Sequence, residues 1–323
     1  MAEPPANRLS YGQKLATDNV TLTLMTLRLL PALLAGLASA ATLLPTLPAR
    51  GQAVVPRVPP LEPEQLEQQG LILVQEAAQL AQIQQFELAL PRAQLASQLI
   101  NDVPEVWLLL GRLHLQLGDF ESSVTALEKA HDLNPEDPAA LFDLGTAYFR
   151  LEDYQRSAEL IEAGLEEDPD VPGAWFDLAN AYYKLNQYDK AIDNYDEAVQ
   201  LEETFWPAVN NIGLVLYEQG KVKRAIESWE AAVELTSGEE AEPQMAIAVA
   251  QYAQGDEAAA TEQAIAALTL DPRYADLDFL DENLWGPQLL RQTQEFLTQP
   301  AVRQALEELR VPIDTTVELQ LEG

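Results

Sequence analysis

Residues 174–199 read AWFDLANAYYKLNQYDKAIDNYDEAV. Residues spaced i, i+3, i+4 and i+7 share one face of a helix, and here that face holds Trp175, Leu178, Ala179 and Tyr182. A neighbouring face holds Phe176, Asn180 and Tyr183, spaced i, i+4 and i+7. The stretch therefore predicts one helix with aromatic rings on two faces, of which one packs the core and the other forms a second surface.

The same pattern recurs along the chain with a period of 34 residues. Trp107 precedes Trp175 by 68 residues, which is two periods, and Leu110, Leu144 and Leu178 follow the single period. The period predicts about six units, the fifth longer by one residue: 70–103, 104–137, 138–171, 172–205, 206–240 and 241–274. Below, "slot" means the position of a residue counted from the start of its unit.

Small residues occupy three slots in all six units. Slot 8 holds Ala77, Gly111, Gly145, Ala179, Gly213 and Ala248. Slot 20 holds Ala89, Ser123, Ser157, Ala191, Ala225 and Ala260, and slot 27 holds Ala96, Ala130, Gly164, Ala198, Ala232 and Ala267. Because small side chains let two helices approach closely, each unit is predicted to be an antiparallel helix pair.

Turn and stop residues agree with this division. Slot 15 holds Gly118, Asn186, Gly220 and Gly255 in four units, where a left-handed residue can end the first helix. Pro135, Pro169 and Pro272 lie near unit ends, where proline stops the second helix.

These residues resemble the tetratricopeptide repeat (TPR) family, whose 34-residue pattern is Trp, Leu-Gly, Tyr, Ala, Phe, Ala, Pro. The second unit matches it with Trp107, Leu110, Gly111, Phe120, Ala130 and Pro135, and the fourth with Trp175, Leu178, Tyr182, Tyr188, Ala191, Tyr195 and Ala198. The third matches it with Leu144, Gly145, Tyr148, Tyr154 and Pro169. The resemblance implies an all-α, right-handed α-solenoid whose first helices line a concave groove.

The groove residues follow from that resemblance, because the second face of each first helix would point inward. The candidates for contact with a partner are aromatic rings, amides and cations: Arg112, Phe142, Phe149, Arg150, Phe176, Asn180, Tyr183, Lys184, Asn210, Tyr217 and Tyr252. Rings can cover apolar side chains, Asn can pair with a peptide backbone, and Arg can take a carboxylate in two parallel bonds. The alternative is that the rings pack between repeats, and that Arg112 and Arg150 pair with Asp143 or Asp177.

The solenoid is predicted to span residues 64–274 and to carry extensions at both ends. Residues 275–310 are expected to form helices that cap the last repeat, with Phe279, Leu280 and Trp285 packed at the junction, and residues 311–323 an acidic tail. Residues 54–63 hold four prolines and are expected to be an extended linker.

Residues 1–53 are expected to be a targeting segment. Its apolar run, 29–49, lacks charge, and small residues at 38–40 and 51–53 offer cleavage sites for a signal peptide. The run is also long enough for an uncleaved anchor, since a spanning helix needs about 20 residues. With either a signal peptide or an anchor, the acidic remainder of the chain would lie across a membrane. The compartment would be a periplasm or, since the composition is similar to that of cyanobacterial TPR proteins, a thylakoid lumen.

Composition and motifs disfavour several functions. The net charge of −33 repels nucleic-acid phosphates, and the absence of cysteine excludes disulfides and thiolate metal sites. His114 and His131 are the only histidines, so no metal site and no cofactor are predicted. No phosphate-binding or nucleophile motif occurs, and an open solenoid lacks the enclosed cleft that tunes a catalytic pKa.

The leading hypothesis is a non-enzymatic adaptor that binds a protein or peptide partner in the concave groove and aids complex assembly at or across a membrane. The alternative is a structural protein that self-associates through its end repeats, with the apolar Leu71, Ile72 and Leu73 packing on the cap of another copy.

Overall fold

The structure, a computed structural model, describes residues 62–309. These residues form fifteen α-helices and one 3-10 turn. Twelve helices form six consecutive pairs. The first helices are α1 (Pro63–Gln82), α3 (Pro104–Gln116), α5 (Pro138–Arg150), α7 (Pro172–Lys184), α9 (Trp206–Glu218) and α11 (Ala241–Ala253). The second helices are α2 (Phe86–Leu99), α4 (Phe120–Leu133), α6 (Tyr154–Glu167), α8 (Tyr188–Leu201), α10 (Val222–Leu235) and α12 (Glu257–Leu270).

The turn inside each pair has the same backbone conformation. Slot 15 has a positive φ in all six units, at Gln84, Gly118, Glu152, Asn186, Gly220 and Gly255. Four of these were predicted; Gln84 and Glu152 adopt the left-handed region without being Gly or Asn. The second helices end at Leu133, Glu167 and Leu270, just before the three prolines that were expected to stop them.

Close helix approach explains the small residues. All eighteen residues at slots 8, 20 and 27 are buried, as predicted for contacts between paired helices. At slot 8 of the fifth unit, a Cβ on Gly213 would lie 2.4 Å from the indole Nε1 of Trp229. A larger residue at this slot would therefore push the two helices apart.

The first helices form the inner side of the solenoid. Helix α1 contacts α3, α3 contacts α5 and α5 contacts α7, in addition to the contact of each first helix with its own second helix. A curved stack brings its inner helices together, so the surface along these first helices is the concave face.

The chain then returns over its own repeats. After a 3-10 turn (Pro272–Ala275) come α13 (Leu277–Glu282), α14 (Pro287–Leu297) and α15 (Pro300–Leu309). Helix α15 packs on α12 and so covers the end of the last repeat, as expected of a cap. Helix α14 instead packs on α9 and α11, inside the concave face. This position differs from the expectation that the whole segment 275–310 caps the end.

The junction is an apolar core. Leu280, Trp285 and Phe296 are buried, and Phe279 packs against them with its ring 5.2 Å from that of Tyr274. The expected packing of Phe279, Leu280 and Trp285 is therefore confirmed. Among residues 62–309, no helix combines the length and apolarity that crossing a membrane would require. The apolar run 29–49 lies outside the described residues.

Candidate functional site: a concave face in two halves

The concave face, taken as slots 5, 9 and 12 of the first helices, divides into an open and a filled half. In the first three units every one of these residues is partly exposed: Val74, Ala78, Ala81, Leu108, Arg112, Leu115, Phe142, Thr146 and Phe149. In the last three units all but Tyr252 are buried: Phe176, Asn180, Tyr183, Asn210, Leu214, Tyr217, Met245 and Val249. We call these the open half and the filled half.

The filled half is occupied partly by the chain itself. Glu218, the last residue of α9, accepts hydrogen bonds from the backbone N–H groups of Gln288 (3.1 Å) and Leu289 (3.0 Å). These N–H groups lie in the first turn of α14, where a carboxylate also interacts favourably with the helix dipole. The neighbouring Tyr217 bonds to Gln292 through its hydroxyl. Burial raises the pKa of Glu218, although these backbone bonds act in the opposite direction.

The sixth unit holds the same segment through rings and a second glutamate. The ring of Tyr252 lies 4.9 Å from that of Phe296, and its hydroxyl accepts a bond from Gln299 (2.8 Å). Glu242 accepts bonds from the indole N–H of Trp285 (3.4 Å) and the hydroxyl of Tyr274 (3.3 Å). A polypeptide segment is therefore bound on this part of the concave face by rings, carboxylates and backbone bonds.

Polar pairs link successive first helices at a spacing of 31 residues. Slot 9 of one unit meets slot 6 of the next: Arg112 pairs with Asp143 (2.5 Å) and Asn211 donates to Asn180 (3.1 Å). At the same slots Thr146 lies close to Asp177, while its hydroxyl donates to the Phe142 carbonyl (3.1 Å). Burial raises the pKa of Asp143 against the opposing effect of Arg112. Burial likewise raises the pKa of Asp177 to about 7, with a further increase from the charge of Asp143.

The Asn pair belongs to a buried network. The Tyr195 hydroxyl donates to the Asn180 side-chain oxygen (2.5 Å), and the Asn211 amide lies 3.2 Å from that hydroxyl. The Asn210 side-chain amide donates to the Asn211 side-chain oxygen (3.1 Å), and the Trp229 indole donates to the backbone carbonyl of Asn210 (3.1 Å). These amides hold repeats together and are not available to a peptide.

Cations stack on rings along the edge of the concave face, where the first helices end. Arg150 lies over the ring of Phe120 at 5.0 Å, and Lys184 lies over the ring of Tyr154 at 5.6 Å. Phe149 joins them, with its ring 5.2 Å from Tyr154 in an edge-to-face arrangement. We call these five residues the rim cluster. In the next unit the equivalent pair is Glu218 and Tyr188, so the cation is replaced by an anion.

The eleven predicted groove residues therefore fall into different environments. Five are buried: Phe176, Asn180, Tyr183, Asn210 and Tyr217. Phe176 packs against Tyr195 and Phe205, which matches the alternative that rings pack between repeats. Tyr252 is half-buried against Phe296. The remaining five, on the open half and its rim, are partly or fully exposed: Arg112, Phe142, Phe149, Arg150 and Lys184.

One feature of the site was not predicted from sequence, and a second was expected only as an alternative. Glu218 and Glu242 hold the returning segment, but a glutamate in an acidic chain carries no signal of its own. The ion pair between Arg112 and Asp143 was expected only as an alternative. The spacing of 31 residues between them, visible in the sequence, is the signal that indicates this pair. Within residues 62–309, no three His, Asp or Glu side chains are grouped as a metal site would require.

Comparison with protein families agrees with the fold. Residues 61–204 match the family described as the cytochrome c-type biogenesis protein H TPR domain, and residues 210–275 match a tetratricopeptide repeat family. Together the two matches cover most of the paired helices. No curated protein matches the sequence.

Solved structures share the helical architecture at low sequence identity. The Cut9–Hcn1 hetero-tetramer of APC/C matches with a TM-score of 0.56 and 16% identity, over 67% of this chain and 43% of that chain. MamA from Desulfovibrio magneticus RS-1 matches at 0.49 and 21%, over 52% and 96%. YrrB, described as a TPR protein with an unusual peptide-binding site, matches at 0.46 and 18%, over 63% and 97%. At these identities the similarity concerns the fold alone.

Proposed function

This chain is a tetratricopeptide-repeat protein, and from that premise we propose that it is a non-enzymatic scaffold whose open half binds an extended segment of a partner protein. The observation that carries the proposal is the contrast between the two halves of one concave face. The filled half holds a polypeptide segment of the same chain, whereas the equivalent slots of the first three units hold partly exposed rings, aliphatic side chains and the cation of Arg112.

The open half has the chemistry that an extended peptide needs. Leu108, Leu115 and Phe142 offer apolar contact, and Arg112 offers donors that remain partly exposed beside Asp143. Partly exposed aromatic and aliphatic side chains on one concave surface are typical of a binding site for an extended polypeptide segment.

The assembly role and the location are also part of the proposal. The match to a TPR domain of a cytochrome c-type biogenesis protein supports a role in complex assembly at or across a membrane. Residues 29–49 would serve as a signal peptide or as the tether, and the acidic body would lie on the far side of that membrane.

A selection experiment tests the proposal. The full chain is immobilised and a display library of random peptides is selected on it. We expect enriched peptides to lose binding at least about tenfold, or 1.4 kcal/mol, when Phe149→Ala removes a ring of the open half. The matched control is Leu201→Ala on the outer helix α8, where the side chain is 42% exposed. Failure to enrich any peptide, or equal loss in both variants, would overturn the proposal.

The alternative, self-association through the end repeats, is supported by one observation. Half of the exposed large hydrophobic residues in the described chain lie in the first helix pair and its turn: Leu71, Ile72, Ile83, Leu88 and Leu95. Light scattering across a concentration series distinguishes the two functions, because a strict monomer excludes self-assembly.

A further inference from the structure

We propose that the partner segment is acidic, and that it places two carboxylates, three residues apart, on Arg150 and Lys184 of the rim cluster. This inference rests on the proposed function, which it deepens by naming the chemistry of the partner.

Both cations are available for such a contact. Among residues 62–309, neither Arg150 nor Lys184 forms an ion pair, and Arg150 is exposed. Their described contacts are with the faces of Phe120 and Tyr154, which hold each charge in place without neutralising it. A cation held by a ring loses less side-chain freedom when it binds a carboxylate.

Two of the carboxylates close to the rim have other partners, whereas Glu152 and Asp281 lie near the ring of Tyr154. Asp143 is paired with Arg112, and the side chain of Asp153 accepts the backbone N–H of Arg156 (3.2 Å) at the start of α6. Salt screens charges beyond about 8 Å at physiological ionic strength, so the more distant acidic residues of the chain act only weakly at the rim. Arg150 and Lys184 are therefore two cations at the rim that form no ion pair within residues 62–309.

The spacing of the two cations sets the spacing of the acids. Arg150 and Lys184 occupy slot 13 of successive units, and their helices α5 and α7 are in contact. Packed helices lie about 8–10 Å apart, and an extended chain in the polyproline II conformation advances about 3.1 Å per residue and turns every third side chain to the same side. Carboxylates three residues apart match this distance, and an apolar side chain between them would lie against Phe149.

The chain's own returning segment shows the same chemistry beside the rim. Helix α13 and its N-cap residue Asp276 read DLDFLDE, which alternates acidic and apolar residues. Asp281 of this helix lies near Tyr154, the ring beneath Lys184. Burial raises the pKa of the Tyr154 phenol, and the negative charge of Asp281 adds to that rise. Leu284, just after this helix, packs against two apolar clusters, one formed mainly by the fourth unit and one formed by the fifth and sixth units with the C-terminal helices. The acidic segment of the chain itself therefore ends the site where the filled half begins, since like charges would repel an acidic partner beyond that point.

A binding measurement with defined peptides tests the inference. The probe is the fluorescent peptide Gly-Glu-Leu-Leu-Glu-Gly, measured by fluorescence anisotropy on the full chain. The controls are Gly-Lys-Leu-Leu-Lys-Gly, which reverses the charge, and Gly-Glu-Glu-Leu-Leu-Gly, which keeps the composition and changes the spacing. We expect the probe to bind at least about tenfold more tightly than either control and to weaken with added salt, since rim charges are screened.

Charge-reversal variants locate the contact. The double variant Arg150→Glu with Lys184→Glu should weaken the probe at least tenfold. The matched control, Lys221→Glu with Lys223→Glu, makes the same change in net charge at two exposed residues, one just before α10 and one in its first turn, and should leave binding within about twofold. Equal loss in both double variants, or equal binding of the probe and the lysine peptide, would overturn the inference.

The two proposals fail in different ways. If library selection yields peptides that need Phe149 but carry no acidic pair, and Arg150→Glu leaves them bound, the acidic partner is wrong and the scaffold function stands. If no peptide is enriched and the probe does not bind, the proposed function fails together with the inference.

Discussion

The carboxylate of Glu218, at the end of α9, accepts the backbone N–H of Leu289, 71 residues later in the chain, at 3.0 Å. This bond joins the fifth repeat to the first turn of α14, and it lies where the cations of the third and fourth repeats give way to an anion. The charge at slot 13 therefore distinguishes two surfaces. Arg150 and Lys184 suit an acidic segment, whereas Glu218 binds the N-terminus of a helix. The segment around Gly286 also packs closely here, since a Cβ at Gly286 would lie within 2.3 Å of the Glu218 side chain.

Removing that carboxylate should loosen α14. Glu218→Ala leaves the N–H groups of Gln288 and Leu289 without their acceptor, and we expect it to lower the free energy of unfolding by about 1–3 kcal/mol. Amide hydrogen exchange should rise first in residues 287–297, because their attachment is local. Glu234→Ala, exposed on α10, is the control and should change neither quantity. Unchanged protection of α14 in Glu218→Ala would contradict this role.

Substitution within the buried amide network of Asn180, Asn210 and Asn211 should lower the free energy of unfolding strongly. Asn211→Ala removes the donor to Asn180 and leaves the side chain of Asn210 without its acceptor. We expect a loss of about 1–3 kcal/mol in urea unfolding, because buried polar groups lose their partners. Asn194→Ala on α8, whose amide bonds only to the Lys190 carbonyl of its own helix, should cost less than about 0.5 kcal/mol. Similar losses in the two variants would show that the network adds nothing.

Stability should depend on pH through Asp177. Its pKa is about 7 in the folded chain, against about 3.9 for an unfolded carboxyl, so the folded state binds the proton more tightly. The contribution of Asp177 to the free energy of unfolding is therefore fully present below about pH 4, where its carboxyl is protonated in both states, and is lost as the pH rises towards 7. Asp177→Asn removes this titration, so the variant should gain stability relative to the wild type between pH 4 and pH 7. Asp193→Asn on the exposed face of α8 is the control, and a flat difference for Asp177→Asn would refute the assignment.

Close helix packing should make slot 8 of the fifth unit, where Gly213 lies against Trp229, intolerant of a single added methyl group. Gly213→Ala places a Cβ against the buried Trp229, and we expect a loss of about 1–3 kcal/mol from overpacking. Gly220→Ala has open space around it but a φ of +73°, so backbone strain alone should cost about 1 kcal/mol. Thermal unfolding with near-ultraviolet circular dichroism separates them, because only Gly213→Ala should change the tryptophan environment. A spectrum unchanged in Gly213→Ala would contradict close packing at Trp229.

The helix pairs follow from local sequence alone. The 34-residue period, the small residues at slots 8, 20 and 27, and the glycines at slot 15 all act between neighbouring parts of the chain. Gly118, for example, adopts the left-handed conformation that ends α3, and Ala191 is buried where α7 and α8 cross. Each of these features needs only one helix and its nearest partner, so a repeat pattern is sufficient to predict it.

The division of the concave face depends instead on contacts over long sequence separation. Tyr217 and Phe149 occupy the same slot and look equivalent in the sequence, yet Tyr217 is buried beneath α14 and Phe149 remains partly exposed. The difference arises because Glu218 and Glu242 hold a segment from tens of residues downstream. What the sequence by itself determined is a stack of helix hairpins, since short-range periodicity encodes it. Only the tertiary structure decided which part of its inner surface is left for another molecule, because that depends on where the chain's own end comes to lie.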